Sequence, residues 1–201
     1  MKRVILASKS PRRKELLSSL GLDFDVTVTD TDEALPDGIA PADAVMLLSH
    51  RKADAVARTV ASSSLDAVVI GADTVVYLPE ENTILGKPAD RADAVRMLKA
   101  MSGRSHIVYT GVTVISNGKA STAYEKTTVF FRTISDEEIL DYVSTGESDD
   151  KAGAYGIQGL GGIFISGIEG DYFNVTGMPK ALTYRLLTES GIDILKLNKQ
   201  K

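Results

Sequence analysis

The sequence of 201 residues contains no cysteine and only two histidines. Without cysteine the chain cannot form disulfides, zinc–thiolate sites, iron–sulfur clusters or a cysteine nucleophile. His50 and His106 lie far apart in the sequence and lack the spacing of metal ligands, so we interpret them as structural or surface residues. The absence of cysteine also fits a cytoplasmic setting.

Long apolar runs and an excess of positive charge are missing as well. No segment approaches the apolar length that crosses a bilayer. The start, MKRVILASKS, is too short for a signal-peptide core, so we expect a cytoplasmic protein without a membrane partner. The net charge of -4 argues against nucleic acid as a partner, despite the cluster Arg12, Arg13 and Lys14. Walker, GxSxG, HExxH and kinase motifs are absent.

The order of patterns predicts an α/β fold with a mixed sheet. Apolar or alternating runs predict strands at 4–7, 24–30, 66–78, 106–116 and 123–134, and a short return strand within 81–88. Helical patterns cover 11–21, 40–61, 89–103, 135–147 and 178–190. Asn117-Gly118 predicts a hairpin, and Ser135 with Glu138 predicts a capping box. No linker interrupts the chain, so we expect one domain over residues 1–201.

The segment SKSPRR, residues 8–13, places cations where a helix prefers anions. Ser10 and Pro11 predict a helix start, but Arg12 and Arg13 follow at the positive end of its dipole. A polyphosphate bound by Ser8, Ser10 and the two guanidinium groups would remove this conflict. The alternative is that the cations point into water or pair with nearby acids.

Asp73 interrupts the apolar run VVIGADTVV, residues 68–76. A buried carboxylate costs several kcal/mol unless it is paired or bound to metal. Gly71 leaves room for another group to approach. We interpret Asp73 as a general base or a ligand of Mg²⁺, with a loop-capping aspartate as the alternative.

Isolated charges and a glycine-rich segment complete the candidates. Glu33 lies in an acidic loop, Lys52 in a helix and Lys87 in a turn, and solvated surface groups are the alternative for each. The segment GAYGIQGLGG, residues 153–162, does not follow a strand and open a helix as a dinucleotide motif does. Its glycines would let backbone approach a flat ligand, and the amide of Gln158 could read a base edge.

Together these motifs resemble the Maf family of nucleoside triphosphate pyrophosphatases, which are related in fold to inosine triphosphatases. The resemblance rests on LASKSPRRKELL, GADTVV, LGKP, KAGAYGIQG and IEGDYFNVTGMP, in the family's order and over nearly the whole chain. It implies an elongated, twisted mixed sheet flanked by helices, in a bilobed molecule with a central cleft.

The resemblance also implies a reaction and its residues. Water cleaves a nucleoside triphosphate between the α and β phosphates, with Mg²⁺ or Mn²⁺ as cofactor. The family's catalytic residue falls on Asp73, its cleft acid on Glu33, and both carboxylates are the metal-ligand candidates. Its phosphate-binding residues fall on Ser8, Arg12, Arg13, Lys52 and Lys87. Whether Asp73 takes the proton of water or holds the metal stays open. Relatives suggest a homodimer.

Two further motifs select a branch of the family. Asp73-Thr74 and GIQG, residues 156–159, are similar to the branch that hydrolyses dTTP and UTP, rather than the one that prefers 7-methyl-GTP. The specificity positions of that branch are matched by Arg12, Thr74 and Gln158. Modified pyrimidine triphosphates are further candidate substrates. The alternative function is a nucleotide-binding regulator of cell division and septum formation, in which hydrolysis is not essential.

Overall fold

The computed structural model describes residues 2–61 and 66–199, which form two compact units. The first unit comprises Met1–Asp73, Thr110–Glu125 and Gly177–Lys201, and the second comprises Thr74–Tyr109 and Lys126–Thr176. Three long strands run through both units: β3 (Ala67–Leu78), β5 (Ser105–Ser116) and β6 (Lys119–Phe131). The expectation of one domain stays a prediction beside this division.

The remaining elements each lie within one unit. The first unit holds β1 (Arg3–Ala7), α1 (Pro11–Ser18), β2 (Asp25–Val26), α2 (Pro41–Ala61), α6 (Lys180–Glu189) and α7 (Ile194–Asn198). The second holds β4 (Thr83–Leu85), α3 (Arg91–Met101), α4 (Asp136–Ser144), β7 (Ile165–Glu169) and α5 (Tyr172–Val175). Within the described ranges, no helix combines the length and apolar character needed to span a membrane.

The strands form a mixed sheet, which confirms the predicted α/β class. Their order is β2-β1-β3-β5-β6-β7, with β4 beside β3. β1 is parallel to β2 and β3, whereas β4 and β7 run antiparallel to β3 and β6. Asn117 and Gly118 join β5 to β6 with φ angles of 50° and 72°, as a two-residue hairpin turn requires.

Several local predictions are confirmed and one strand prediction is wrong. Ser10 caps α1, and Ser135 and Glu138 form the predicted capping box of α4. The alternating segment 24–30, in contrast, contributes only Asp25–Val26 to the sheet. Val26 and Val28 are 44% and 39% exposed, so this alternation has no buried face to hold a longer strand. β7, α5 and α7 were not predicted.

Two glycines bring helix α2 close to the sheet within the first unit. A Cβ at Gly71 of β3 would meet the carbonyl oxygen of Ser49 and lie 2.8 Å from the backbone nitrogen of Ala53. A Cβ at Gly111 of β5 would likewise collide with the backbone of Val45. The room beside Gly71 is therefore taken by α2, whose Ser49 lies one turn before Lys52.

The two histidines have the roles that their spacing suggested. His106 is fully buried in the core of the second unit, where its ring contacts Phe131 and its Nε2 lies 2.8 Å from the Tyr155 hydroxyl. Burial lowers the pKa of His106 to about 3, so the ring is neutral at physiological pH. His50 is half-buried on α2.

We predict that Gly71→Ala destabilises the protein by about 1–3 kcal/mol, because the added methyl group must push α2 away from β3. The free energy of unfolding from urea titrations measures the effect. Gly86→Ala is the matched control, since a Cβ there meets nothing within 4 Å, and it should change stability by less than about 0.5 kcal/mol. Equal effects of the two substitutions would contradict this account of the α2 packing.

Candidate active site

The turn between β1 and α1 assembles the predicted polyphosphate-binding residues of the first unit. Ser8 is buried, and its Oγ accepts hydrogen bonds from the backbone N–H of Ser10 at 3.2 Å and from Arg13 Nη1 at 3.4 Å. The Ser10 side chain in turn accepts from the Arg13 N–H at 3.5 Å. The two serines thus fix the helix start and one of its guanidinium groups.

Arg13 is held against the protein, so the alternative of a solvated side chain is wrong for this residue. Its Nε donates to the Gly177 carbonyl oxygen at 2.9 Å. Burial lowers the pKa of Arg13, the charges of Asp73 and Glu33 raise it, and neighbouring Arg12 lowers it. The guanidinium remains a cation at neutral pH. Arg12 is half-buried on α1, whereas Lys14 is exposed.

Lys52 joins the two carboxylates that the sequence singled out. Its ammonium lies 2.5 Å from Asp73 Oδ1 and 2.7 Å from Glu33 Oε1. The side chains of Lys52 and Asp73 are only 19% and 11% exposed, whereas that of Glu33 is 63% exposed. The surface alternative for Lys52 is therefore wrong, because this lysine compensates the charge of a buried aspartate.

Arg51, which the sequence did not mark as a site residue, anchors the loop that carries Glu33. Its Nη1 donates to the carbonyl oxygens of Asp32 at 3.1 Å and Ala34 at 2.7 Å. Arg51 and Lys52 are consecutive residues of α2, so one helical turn positions both the loop and the carboxylate. A lone arginine inside a helical pattern gives no sequence signal of such a contact.

Register explains why these groups lie on one side of the first unit. Ala7, the last residue of β1, pairs with Gly71 of the parallel strand β3. Ser8 and Asp73 therefore follow closely after a matched pair of strand residues. The start of α1 and the buried carboxylate are thus close enough for the charge of Asp73 to raise the pKa of Arg13, and a shared substrate pocket stays a prediction.

The other predicted site residues belong to the second unit. Thr74 is half-buried and directly follows Asp73 on β3. Lys87 is exposed in the bend after β4, which agrees with the surface alternative, and Gln158 is exposed in the turn 157–158. Their parts in the site stay predictions.

The glycines of the second unit have intramolecular partners. A Cβ at Gly159 would collide with both carboxylate oxygens of Glu147, and one at Gly156 would lie 2.7 Å from Lys151 Cε. At Gly161 it would lie 2.8 Å from the Tyr142 hydroxyl oxygen. These glycines let the backbone lie close to the protein's own side chains, and the approach of a flat ligand stays a prediction.

A metal ion fits the carboxylates of the first unit only with help from substrate oxygens. Among residues 2–61 and 66–199, no three His, Asp or Glu side chains cluster as ligands. Asp73 and Glu33 do approach one common cation, the Lys52 ammonium. Mg²⁺ binds through one or two carboxylates plus substrate phosphates, so this pair of oxygen donors fits such an ion.

These features define an α/β protein that carries a cationic helix start beside a lysine-bridged pair of carboxylates. The model of the family "Maf-like protein" matches residues 3–190, and the chain belongs to this family. The predicted family membership is thereby confirmed.

Curated relatives cover nearly the whole chain. It is 48% identical to the dTTP/UTP pyrophosphatase of Pelotomaculum thermopropionicum over 97% of this chain and 100% of that protein. It is 46% identical to the dTTP/UTP pyrophosphatase of Bacillus anthracis over 96% and 98% of the two chains. Among solved structures, the Staphylococcus aureus Ham1 protein is similar at a TM-score of 0.44 and 14% identity, over 65% of this chain and 72% of that one. The mixed α/β class rests on the strand pairing itself.

We predict that Lys52→Met destabilises the protein by about 3 kcal/mol, because it leaves the buried Asp73 carboxylate without its counter-charge. Adding Asp73→Asn should recover most of this loss, since the double variant buries no uncompensated charge. Urea unfolding of the two single variants and the double variant measures the coupling.

The control for this cycle is Lys9→Met. Lys9 is 77% exposed and lies 3.8 Å from Asp30, so its loss should change stability by less than about 0.5 kcal/mol. Additive losses from Lys52→Met and Asp73→Asn would show that the two residues do not compensate each other.

Proposed function

We propose that the protein hydrolyses dTTP and UTP to the nucleoside monophosphate and pyrophosphate. The names of relatives that match nearly end to end support this reaction. The observation that carries it in the structure is the Lys52 ammonium between the Asp73 and Glu33 carboxylates. A buried, compensated aspartate with an exposed glutamate at the same lysine, beside a cationic helix start, suits hydrolysis of a charged phosphate chain.

The cations bind the triphosphate in this proposal. The proposed phosphate-binding residues are Ser8, Arg12, Arg13, Lys52 and Lys87. Backbone N–H groups at the start of α1 and the forked guanidinium of Arg13 suit phosphate oxygens. The same positive groups oppose the charge that builds up on pyrophosphate as it leaves, which lowers the barrier of the reaction.

Asp73 acts on the attacking water. The water oxygen forms a bond to the α phosphorus, and the bond from that phosphorus to the bridging oxygen breaks. Pyrophosphate leaves with the electron pair, and the proton of the water passes to the Asp73 carboxylate. Asp73 and Glu33 would also hold the divalent cation, Mg²⁺ or Mn²⁺, which would polarise phosphate oxygens.

The base is read by Arg12, Thr74 and Gln158 in this proposal. The exposed amide of Gln158 offers both a donor and an acceptor, which the edge of a pyrimidine requires. Modified pyrimidine triphosphates with the same edge are further candidate substrates. The cytoplasmic location and the homodimer suggested by the family resemblance stay predictions.

We predict that Asp73→Asn lowers kcat for dTTP by at least about 100-fold, because it removes a proton acceptor. The assay measures pyrophosphate release from dTTP, UTP, dCTP, dATP, dGTP and 7-methyl-GTP with Mg²⁺ and with Mn²⁺. Asp66→Asn is the matched control, since Asp66 directly precedes β3 and its side chain is 64% exposed. Hydrolysis in ¹⁸O-water should place the label in the monophosphate.

Two results would contradict the proposal. Label in pyrophosphate would place the attack on another phosphorus, and an unchanged kcat of Asp73→Asn would remove this residue from the reaction. Tight binding of dTTP by the wild-type protein without release of pyrophosphate would instead favour the nucleotide-binding regulator.

A further inference from the structure

The loop that carries Gln158 is organised by one carboxylate of the second unit. Glu147 lies three residues beyond the end of α4 and accepts hydrogen bonds from the backbone N–H groups of Leu160 at 2.8 Å and Gly161 at 3.1 Å. It reaches these residues across thirteen positions of sequence. A single side chain therefore fixes the end of the turn that follows Gln158.

Tyr142 holds the other end of the same turn. Its hydroxyl donates to Glu147 Oε1 at 3.1 Å and is itself hydrogen-bonded by the backbone of Gly156. The segment between Gly156 and Leu160 is thus held at both ends, with Gln158 exposed between them. Within the turn, the Gly159 N–H also donates to the Gly156 carbonyl oxygen at 3.3 Å.

Side-chain size in the loop is limited by Glu147 and its neighbour Lys151. A Cβ at Gly159 would meet the Glu147 carboxylate and one at Gly156 would meet the end of the Lys151 side chain, so a larger residue at either position would displace these flexible side chains from the loop. Lys151 Nζ donates to the backbone carbonyl oxygen of Glu147 at 2.6 Å, which fixes the segment that carries the carboxylate. The glycines therefore allow Glu147 and Lys151 to lie close against the loop.

Glu147 is ionised at neutral pH despite its partial burial. Burial raises its pKa, but the N–H groups of Gly161 and Leu160, the Tyr142 hydroxyl and the charge of Lys151 lower it below the ordinary value. Hydrogen bonds to an ionised acceptor are stronger than neutral ones, so the loop is held more firmly than by backbone contacts alone.

We propose that Glu147 is a positioning residue for base recognition, because its carboxylate holds residues 156–161 in the conformation that presents Gln158. This inference rests on the proposed function, in which Gln158 reads the pyrimidine. Glu147 acts through the loop and does not touch the substrate itself.

Glu147→Gln tests the inference, since the amide keeps the size of the side chain but loses its charge and one acceptor oxygen. We expect KM for dTTP to rise about tenfold with kcat changed less than about threefold, and the preference for dTTP over dCTP to fall. The inhibition constant of inorganic tripolyphosphate, which has no base, should stay unchanged. Glu147→Asp, which keeps the charge, should retain part of the preference, and Glu137→Gln on α4 is the control.

A double-variant cycle separates positioning from a general structural effect. If Glu147 acts through Gln158, Glu147→Gln should add little to the KM of Gln158→Ala. Hydrogen exchange of the Leu160 and Gly161 amides should speed up in Glu147→Gln while exchange in β5 stays unchanged. A fall in kcat, weaker binding of tripolyphosphate or fully additive effects would overturn the inference.

The failure of the inference and the failure of the proposed function give different results. A wild-type protein that hydrolyses dTTP, together with a Glu147→Gln variant of unchanged KM and preference, overturns only the positioning role. A wild-type protein that releases no pyrophosphate from dTTP or UTP overturns the function, and the role of Glu147 in base recognition falls with it.

Discussion

The Lys52 ammonium between the Asp73 and Glu33 carboxylates is the contact on which the first unit depends. Asp73 lies in an apolar strand, where an ionised carboxylate is tolerated only beside an opposite charge. That charge comes from α2, and α2 can approach β3 only because Gly71 has no side chain. The next residue towards the N-terminus, Arg51, fixes the loop that carries Glu33. A glycine, two cations of one helix and two carboxylates thus form a single arrangement, in which the position of each depends on the others.

A comparable arrangement holds the glycine-rich loop of the second unit. In the first unit a cation, Arg51, holds a loop by its backbone carbonyl groups, whereas in the second unit an anion holds a loop by its backbone N–H groups. There a carboxylate, Glu147, accepts hydrogen bonds from backbone N–H groups and lies close against a glycine where it approaches the chain. In each unit a charged side chain with little freedom determines where a loop lies. The glycines, which resemble ligand-binding glycines in the sequence, are explained in both cases by close contacts inside the protein. A glycine in a functional motif can therefore make room for a side chain that supports the site, without contacting the ligand itself.

Whether a structural feature could be predicted from the sequence depends on how far apart in the sequence its interacting residues lie. Asn117-Gly118, the Ser10 cap and the capping box of Ser135 depend on neighbours within four residues, and the sequence predicted them correctly. The burial of Asp73 followed from the apolar run around it. The contacts of Lys52 with Asp73, of Arg51 with Asp32 and of Glu147 with Leu160 span 13 to 21 residues, and no periodicity encodes such contacts. The short β2 shows the opposite error, because alternation at 24–30 predicts a strand without showing whether one face is buried.

Two features of the first unit oppose stability, and both lie where the proposed reaction needs them. Arg12 and Arg13 occupy the first turn of α1, which contains no acidic residue, although the helix dipole disfavours cations there. The Lys52–Asp73 pair replaces apolar side chains that would pack as well without a desolvation cost. Natural sequences follow local rules of stability in most places and break them chiefly at functional sites. In the proposed function one ligand would answer both departures, because a triphosphate would supply the negative charge that the helix start lacks and would be the substrate on which the lysine and the carboxylates act. Neither departure is explained by folding alone, which is why the hydrolase is a better account of this unit than a structural protein.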